Sequence, residues 1–534
     1  MTKKTFWTWI IVIAVIHVGL ILLFGMKKEG FHEDEYYSYW SSAVPGDVMK
    51  PVNFSWHSGY ELQRRFLVGD DRRFDYETVI QNQCEDVHPP LYYLALHTFM
   101  SLFPNCFYKW FGILLNLLFS LISYGCIVAL FYYMSEGVVQ KREFAALLAG
   151  FIYATAPSTV SAVMLTRMYA MSTMWSTAYT LVLILLMINR RCGKRRFGFL
   201  LFCGALSCYC AFLTHYFSLI IPFFLTLAYS VYTLLRRNGI VRMLIWGTSM
   251  AAAIALGVLS YPASLQHIFS GYRGTGAIQG LFGGSLPMRL SIFTGYMQTW
   301  IFSGTLYPCL IAFVAAFVFL LVLAIRKKGW KTVRNFVCRM AAVFFALLMS
   351  YVVLCGTSMI VGSASCRYFY PVAALLFPFI AYTLFGTFSV LGGNIGKFPV
   401  PGGIITVCIT VLALIPTVFG YCKKNVLFLY EEDEDKVAFS REYSEYPLIM
   451  VYGSSNSYRS WYVDNQLWPF EQVFYLSYEQ RDALDDKTLQ EADKIVVYMD
   501  APEDLLENLI ANNPNLSTYT LVRHDPFFYV YLLE

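Results

Sequence analysis

Three consecutive acidic residues follow closely on the first long apolar segment of the chain. Glu33, Asp34 and Glu35 come shortly after the apolar run 6–24 and lead into the aromatic sequence YYSYW. Aromatic rings favour the membrane–water interface, so these carboxylates are expected at the surface of a bilayer. The pair Asp34 and Glu35 could provide a general base for an attacking hydroxyl, with a partner that neutralises or coordinates a cation. The alternative interpretation is a solvated helix end.

A second group of polar side chains precedes two prolines in the sequence EDVHPP. Glu85, Asp86 and His88 carry the oxygen and nitrogen atoms that bind divalent ions in proteins. The rigid proline pair at 89–90 would fix their positions over a pocket. The motif therefore indicates a metal site, and an ordinary surface turn explains the same residues.

Two arginines stand at the predicted external ends of apolar helices, each close to a tyrosine. Arg167 and Tyr169 lie in LTRMYA, and Arg367 and Tyr368 lie in SCRYFYP. Positive charge on the external side runs against the usual bias of membrane proteins. A guanidinium presents a planar fork to phosphate oxygens, so phosphate binding is one reason for it. Snorkelling into lipid headgroups is the alternative.

His215 lies at another external junction between two apolar helices, in the sequence LTHYF. It could face the same pocket as the arginines and act as a ligand of a metal or a substrate. A structural histidine with ordinary hydrogen bonds fits the sequence as well.

The composition places these residues in a polytopic membrane protein. Hydrophobic residues make up 57% of the chain and charged residues 14%, against about 25% charged residues in ordinary soluble proteins. Apolar runs of about 20 residues recur, and each is long enough to cross a bilayer as a helix. We predict about 11 spanning helices, at 6–26, 107–134, 143–158, 167–189, 197–213, 215–236, 241–261, 306–326, 336–356, 367–391 and 402–421.

Charge in the short loops indicates the orientation of these helices. The loops between alternate helices are basic, and they fall on the same side as Lys3 and Lys4. By the positive-inside rule that side is cytoplasmic, which leaves the long loops and the C-terminal region outside the cell membrane. The segment 288–304 is compatible with an interfacial or re-entrant helix, and reading it as a full span would break the parity. The net charge of +5, without a basic stripe, argues against nucleic acid as a partner.

The long segments define the predicted domains. We predict a transmembrane domain over 1–421, which includes a first extracytoplasmic region over 27–106, and a soluble extracytoplasmic α/β domain over 422–534. In the first region, the mixed-charge stretch 61–77 is typical of an amphipathic helix on the membrane, and a second helix is expected after residue 90. The glycine-rich loop 262–290 could act as a lid. In the C-terminal domain we expect strands at 447–453, 473–478, 494–500 and 518–533, and helices at 478–491 and 502–511.

The 13 cysteines are scattered and form no CxxC pair. This argues against a zinc ribbon or a thioredoxin-like motif. Cys84 and Cys106 both fall in or near the first external region, and the sequence fits either a disulfide between them or two free thiols.

Four of these motifs together resemble those of the GT-C glycosyltransferases. They are the acidic pair after the first helix, HPPLYY at the end of the first external region, R-x-Y at a helix start and a late RY-x-x-P. More closely, the chain resembles the branch that contains the protein O-mannosyltransferases and the lipid A aminoarabinose transferases, over most of residues 1–400. The resemblance implies a polyprenyl-phosphate sugar donor, an inverting transfer on the extracytoplasmic face and juxtamembrane helices in the first loop.

The resemblance also implies roles for individual residues. By position, Asp34 is the base and Glu35 is its neighbour in the active site. His88 stands where many relatives have a lysine before the prolines. His88 is expected to contact the donor phosphate together with Tyr169 and Tyr368. Arg167 and Arg367 are then the main candidates for binding its negative charge.

The sequence therefore predicts a membrane glycosyltransferase of the cell envelope. It would move a hexosyl or pentosyl group from a lipid-phosphate donor to a hydroxyl or amine of an extracytoplasmic glycan, lipid or protein. A divalent ion is an optional cofactor, because arginines can also stabilise a leaving phosphate. The alternatives are a transporter or flippase of lipid-linked sugars, or a polymerase of lipid-linked glycans. A transporter would usually carry more ionisable residues deep in its spans, or an inverted repeat.

Overall fold

We describe the fold from a computed structural model of the chain. It describes residues 1–46, 56–136, 139, 141–189, 192–236, 239–326, 331–394, 402–452, 463–477, 486–500, 504–525 and 527–534.

Helices dominate the chain as far as residue 422, and shorter helices accompany strands after it. In chain order the helices are α1 (Lys3–Met26), α2 (Glu33–Ser41), α3 (Gly59–Arg64), α4 (Tyr76–Glu85), α5 (Leu91–Leu102), α6 (Lys109–Met134), α7 (Arg142–Thr155), α8 (Pro157–Met164), α9 (Tyr169–Ile188), α10 (Lys194–Thr214), α11 (Ile220–Arg236), α12 (Ile240–Ser260), α13 (Ala263–Phe269), α14 (Tyr272–Phe282), α15 (Leu286–Tyr296), α16 (Leu306–Arg326), α17 (Lys331–Thr357), α18 (Tyr370–Asn394), α19 (Gly402–Cys422), α20 (Asp433–Glu442), α21 (Asp464–Leu467), α22 (Lys487–Glu491) and α23 (Asp504–Asn512). The strands are β1 (Trp56–His57), β2 (Leu448–Tyr452), β3 (Val473–Ser477), β4 (Ile495–Met499), β5 (Tyr519–His524) and β6 (Tyr529–Leu533).

The chain is a multi-pass membrane protein by the length and apolar character of its helices. Within the described residues, 8 helices are long and apolar enough to cross a membrane, and the number reaches 10 when each of two bent pairs is taken as one span. The eleventh predicted span, 402–421, forms helix α19. Apolar run length therefore predicted the position of each spanning helix, because a helix of about 20 apolar residues matches the hydrocarbon thickness.

Two of the predicted spans are interrupted. Helices α7 and α8 are bent by 50°, at Ala156, whose extended backbone precedes a proline at the first position of α8. The pair formed by Leu286–Ile301 and Leu306–Val322 is bent by 99°, after a π-helical turn over Met297–Ile301. The ambiguous segment 288–304 is thus a helix that lies at a steep angle to α16, and it does not continue α16 as a straight span.

The long external segments differ from their predicted structure in two places. The stretch 61–77 does not form one amphipathic helix, because α3 ends at Arg64 and a 3-10 turn follows at Asp70–Arg72. Phe74 then has a left-handed backbone with φ of 60°, which interrupts any continuous helix. The glycine-rich segment 262–290 was expected to be a loop, but it forms α13, α14 and the start of α15. The helix expected after residue 90 is confirmed as α5.

The chain divides into two compact units. The helical unit comprises Met1–Gly25, Gln83–Tyr92 and Gly112–Leu427, and the sheet unit comprises Met26–Asn82, Tyr93–Phe111 and Phe428–Glu534. This division differs from the predicted domain boundaries, since Met26–Asn82 and Tyr93–Phe111 group with the C-terminal α/β region and not with the transmembrane helices.

A six-stranded sheet forms the centre of the sheet unit, in the order β1-β3-β2-β4-β6-β5. Strands β3, β2 and β4 are parallel, and β1, β6 and β5 join by antiparallel pairing. The four predicted strand regions are confirmed, the last of them as the hairpin of β5 and β6. Strand β1 comes from the first external region, and Trp56 packs against Phe474 while its indole N–H donates to Asp486. The expected helix 478–491 lies partly outside the described residues, and α22 forms its end.

Alternate residues of the central strands pack into two apolar layers, one on each face of the sheet. One layer contains Ile449, Val451 and Val497, and the other contains Met450 and Val496. This period of two is the geometry of a strand with both faces buried.

Of the two cysteines that could have formed a disulfide, Cys84 and Cys106, both are free thiols.

One buried carboxyl group stands out in the sheet unit. Asp464, at the start of α21, is 2% exposed, and its Oδ2 atom has no hydrogen-bond partner among the described residues. Burial raises the pKa of Asp464 to about 7, and the charge of Arg65 opposes this shift. The group therefore binds a proton more tightly in the folded protein than in the unfolded chain.

We predict that this group makes the protein less stable as the pH rises. Because the pKa of Asp464 is higher in the folded state, stability is fully present below pH about 4 and falls until the pH passes about 7. Asp464→Asn should remove this dependence and raise the free energy of unfolding at pH 8 by on the order of a few kcal/mol. Thermal unfolding of the full chain in detergent at pH 5 and pH 8 measures it. Asp493→Asn, at an exposed position, is the control, and an equal response of both variants would contradict the assignment.

Candidate functional site

The EDVHPP segment of the helical unit forms a hydrogen-bonded pair. The Nδ1 atom of His88 lies 2.6 Å from Oδ2 of Asp86. Since a carboxylate only accepts hydrogen bonds, the imidazole carries its proton on Nδ1. Burial would raise the pKa of Asp86, but the interactions with His88, which include a hydrogen bond, and with Arg167 outweigh it and the pKa is lowered. Burial lowers the pKa of His88, although Asp86 opposes the shift. The pair is therefore a carboxylate that orients a neutral imidazole.

Arg167 extends this pair to a row of three interacting side chains, Asp86, His88 and Arg167, which we call the relay. Its Nη2 atom lies 3.4 Å from Nε2 of His88, which in this tautomer is a hydrogen-bond acceptor. The arginine lies between α8 and α9 and is only 3% exposed. The carboxylate contacts the imidazole and the imidazole contacts the guanidinium, so these contacts orient the buried, positively charged side chain. Asp86 and His88 thus act on the orientation of Arg167.

A second layer of hydrogen bonds holds the EDVHPP segment in place. The backbone carbonyl of Cys84 accepts from Nε2 of His267 at 3.2 Å, and Nδ1 of His267 accepts from the hydroxyl of Tyr216 at 3.0 Å. The hydroxyl of Tyr261 donates to the carbonyl of His88 at 3.5 Å. These side chains come from the end of α12, from α13 and from the turn after α10, so three parts of the helical unit position the segment.

Aromatic contacts connect the relay with the second arginine. The ring of His215 lies 6.0 Å from that of His88 and 5.9 Å from that of Tyr169. Tyr169 packs edge-on against Tyr368 at 5.8 Å, and the Arg367 guanidinium lies 5.2 Å from the centre of the Tyr368 ring. Arg367 is 4% exposed. The predicted donor-phosphate residues His88, Arg167, Tyr169, Arg367 and Tyr368 therefore lie in one cluster of the helical unit.

The electrostatics of this cluster favour an anion. Burial lowers the pKa of His215 well below its usual value, and neighbouring positive charges, including those of Arg167, Arg273 and Arg367, lower it further. Both imidazoles are then neutral near pH 7. The charged groups that act on these two histidines and on Asp86 include Arg167, Arg273 and Arg367. A positive charge held in a poorly solvated place has a strong attraction for phosphate oxygens.

The predicted metal ligands are engaged in other contacts. Asp86 is bonded to His88, Glu85 is exposed, and Nδ1 of His215 accepts from the backbone N–H of Phe217 at 3.1 Å. Across the described part of the chain, no group of three or more His, Cys, Asp or Glu side chains is arranged to hold a metal ion. Among the described residues, Asp86, Glu85 and His215 therefore do not form a site for a divalent ion.

Asp34 and Glu35 lie on α2 of the sheet unit, where His32 caps the helix. The Nδ1 atom of His32 accepts from the backbone N–H of Asp34 at 3.1 Å, so this nitrogen carries no proton even though it is 3.6 Å from the Asp34 carboxylate. The side chain of Asp34 is 18% exposed. The Glu35 carboxylate accepts from His32 N–H and from the Lys28 ammonium, both at 2.9 Å. The Asp34 carboxylate is therefore only partly exposed, since its Oδ2 atom is buried, and the Glu35 carboxylate is fully buried.

Sequence reasoning missed three residues of these groups. Arg273 lies in the glycine-rich segment that was expected to be a mobile loop, although its positive charge on an external segment was visible. Lys28 follows the first apolar helix, where lysines are common in membrane proteins, so the sequence did not distinguish it from an ordinary flanking residue. His32 precedes the acids at the spacing of a helix cap, and the sequence H-x-x-E was a usable signal.

Comparisons with known proteins bear on the fold. No protein family matches the sequence, and no curated protein is detectably similar to it. Among solved structures, the archaeal oligosaccharyltransferase AglB from Archaeoglobus fulgidus, in complex with an inhibitory peptide and a dolichol-phosphate, is 11% identical with a TM-score of 0.50, over 96% of this chain and 71% of that one. ArnT from Cupriavidus metallidurans bound to undecaprenyl phosphate is 12% identical with a TM-score of 0.42, over 97% of each chain. The chain therefore has the polytopic GT-C fold expected from the sequence.

We predict that the arginine cluster binds a lipid phosphate. Arg167→Gln should weaken binding of dodecyl phosphate by about 10- to 100-fold, because a charge-assisted hydrogen bond contributes about 1.5–3 kcal/mol. Titration of purified protein, followed by calorimetry, measures it. Arg142→Gln is the matched control, since that guanidinium is 42% exposed and packs over Tyr132. Equal affinity in the wild type and Arg167→Gln would remove the cluster from anion binding.

Proposed function

We propose that the protein is a membrane glycosyltransferase that moves a sugar from a polyprenyl-phosphate donor to an extracytoplasmic acceptor. The observation that carries the proposal is the buried relay from Asp86 through His88 to Arg167, with Arg367 in the same cluster. A buried group of arginines at the ends of apolar helices suits a ligand that combines a phosphate with a lipid chain. The likeness in fold to AglB, whose structure contains a dolichol-phosphate, supports the same class of donor.

Asp34 is the general base of this proposal. Its carboxylate is near the start of α2 and partly exposed, so an acceptor hydroxyl or amine can reach it. Asp34 takes the acceptor proton as the acceptor oxygen or nitrogen forms a bond to the anomeric carbon of the donor. The bond from that carbon to the phosphate oxygen breaks on the opposite face, and its electron pair leaves with the polyprenyl phosphate. The transfer therefore inverts the anomeric configuration.

The arginine cluster takes the place of a general acid or a metal. A sugar phosphodiester carries one negative charge, and the released phosphate monoester approaches two. The positive charge of Arg167 and Arg367 stabilises the second state more than the first. No proton has to be supplied to the leaving oxygen. The neutral His88 orients Arg167 in this scheme, and we assign contact with the phosphate to the arginines.

The transporter alternative depends on ionisable residues within the spanning helices. Among the described spans, His17 and Arg339 are buried ionisable residues, and each is hydrogen-bonded to a backbone carbonyl of a neighbouring helix. Buried ionisable groups in spans often mark transport pathways, but the bonds of His17 and Arg339 to backbone carbonyls are contacts that helix packing explains. The proposed site of chemistry is instead at the helix ends, as a transferase requires.

We predict that Asp34→Asn abolishes donor turnover. Removal of a general base costs about 10²- to 10⁴-fold in rate. Release of polyprenyl phosphate from a panel of polyprenyl-phosphate sugars, with crude envelope acceptors and with or without EDTA, measures it and identifies the donor sugar. Glu33→Gln changes a neighbouring carboxylate on the same helix and is the matched control. Near-normal turnover by a folded Asp34→Asn variant would remove Asp34 from the base role, and no release by the wild type would favour the transporter or polymerase.

A further inference from the structure

Lys28 lies between the end of α1 and the start of α2, and its ammonium is fully buried in the sheet unit. It donates to the Glu35 carboxylate at 2.9 Å and to the backbone carbonyl of Phe428 at 2.7 Å, and neither Lys28 nor Glu35 has any exposed side-chain surface. The rings of Phe31 and Tyr430 lie 5.1 and 5.7 Å from its nitrogen. Aromatic rings and oxygen atoms therefore surround this cation together.

The backbone around Lys28 is bonded to the same segment of the chain. The N–H groups of Glu29 and Gly30 donate to the carbonyl of Leu429 at 2.9 and 3.4 Å. A Cβ atom on Gly30 would overlap the Asp433 carboxylate, so only glycine allows this approach. Residues 28–30 and 428–433 thus form a contiguous clamp, which we call the Lys28 clamp.

The clamp ends on the helix that carries Asp34. The same Oε2 atom of Glu35 that accepts from Lys28 also accepts from the backbone N–H of His32, and the His32 ring caps α2 by accepting from the Asp34 N–H. Tyr36, the next residue along α2, is bonded through its hydroxyl to the backbone N–H of Asn465. The residues that follow Asp34 on α2 are therefore fixed by segments from the C-terminal part of the chain.

We propose that Lys28 and Glu35 are positioning residues that hold α2, and hence the Asp34 carboxylate, against the C-terminal part of the sheet unit. This inference rests on the proposed function of Asp34. It assigns to the C-terminal α/β region a role in placing the base, and it makes Glu35 a structural partner of Lys28 that has no contact with substrate or metal. A misplacement of about 1 Å at a catalytic group is enough to cost about 100-fold in rate.

A double-mutant cycle separates this role from direct catalysis. Glu35→Gln removes the carboxylate that is bonded to the buried Lys28 ammonium, and Lys28→Met removes the ammonium that is bonded to the buried Glu35 carboxylate. Each single variant should therefore lose about 10- to 100-fold in kcat with little change in KM. The combined variant removes both members of the ion pair, and the amide oxygen that replaces the Glu35 carboxylate still accepts from the backbone N–H of His32. It should recover to within about 5-fold of the wild-type kcat.

The pH dependence of kcat/KM gives a second readout that packing alone would not change. Loss of the Lys28 charge should move the acid limb of the profile to higher pH in Lys28→Met, and loss of the Glu35 charge should move it to lower pH in Glu35→Gln. Lys109 and Asp433, the other charged groups that act on Lys28, are unchanged in both variants. The combined variant should return to the wild-type profile. Lys27→Met, at the exposed neighbouring position, should leave both kcat and the profile unchanged.

The combined variant decides the proposal even where a single variant fails to fold. A combined variant that unfolds at the wild-type temperature but is no more active than about 1% of wild type would show that Glu35 acts on the substrate, and it would overturn the positioning role. Failure of the proposed function has a different signature, since Asp34→Asn would then keep its turnover. Coupling between Lys28 and Glu35 in thermal unfolding is measurable in either case.

Discussion

The arrangement of this chain depends on keeping a few ionised groups charged in places that exclude water. A lysine or carboxylate without a counter-charge in such a place costs several kcal/mol or changes its protonation state. In the sheet unit, Lys28 is matched by Glu35, a carbonyl and two aromatic rings. In the helical unit, the charged groups that act on His88 and His215 include three arginines and Asp86. The first group is a hydrogen-bonded ion pair and suits a structural role, whereas the arginines of the second suit an anionic ligand.

The spanning helices could be predicted from the sequence because one physical quantity determines them. A run of about 20 apolar residues has no other stable place than a bilayer or a large core, so run length alone located each span. The strands of the sheet unit were also visible, since Val, Ile and Tyr concentrate in residues 448–452, 495–499 and 529–533. The two-residue strand β1 was not, because Trp56 and His57 carry no pattern of their own and join the sheet by pairing with β3.

Residues of the candidate site could be predicted from the sequence where a charged residue stands beside an apolar helix, and they could not be predicted where the charge is usual for its position. Arg167 and Arg367 were evident because each stands at an apolar helix end that the charge pattern predicts to be external. The motif around His88 was evident from its prolines, but its orientation toward Arg167 follows from tertiary packing. Lys28 has the appearance of any flanking lysine, and its burial depends on a carbonyl 400 positions away in sequence. The spacing of Asp86 and His88 suggested metal ligands, but the same spacing lets the two side chains bond to each other, and sequence cannot distinguish these uses.

The charge of the arginine cluster bears on which step of the proposed reaction the protein accelerates. A cluster that matched the donor would carry one positive charge, and it would bind the phosphodiester as tightly as the transition state, which lowers KM without raising kcat. With both imidazoles neutral, the arginines supply the positive charge that the phosphate meets as its bond to the sugar breaks. The lowered pKa values of His88 and His215 fit this scheme, because added positive charge on the imidazoles would hold the product more tightly. Burial and neighbouring arginines together hold these histidines neutral, and the same arginines provide the attraction for the leaving group.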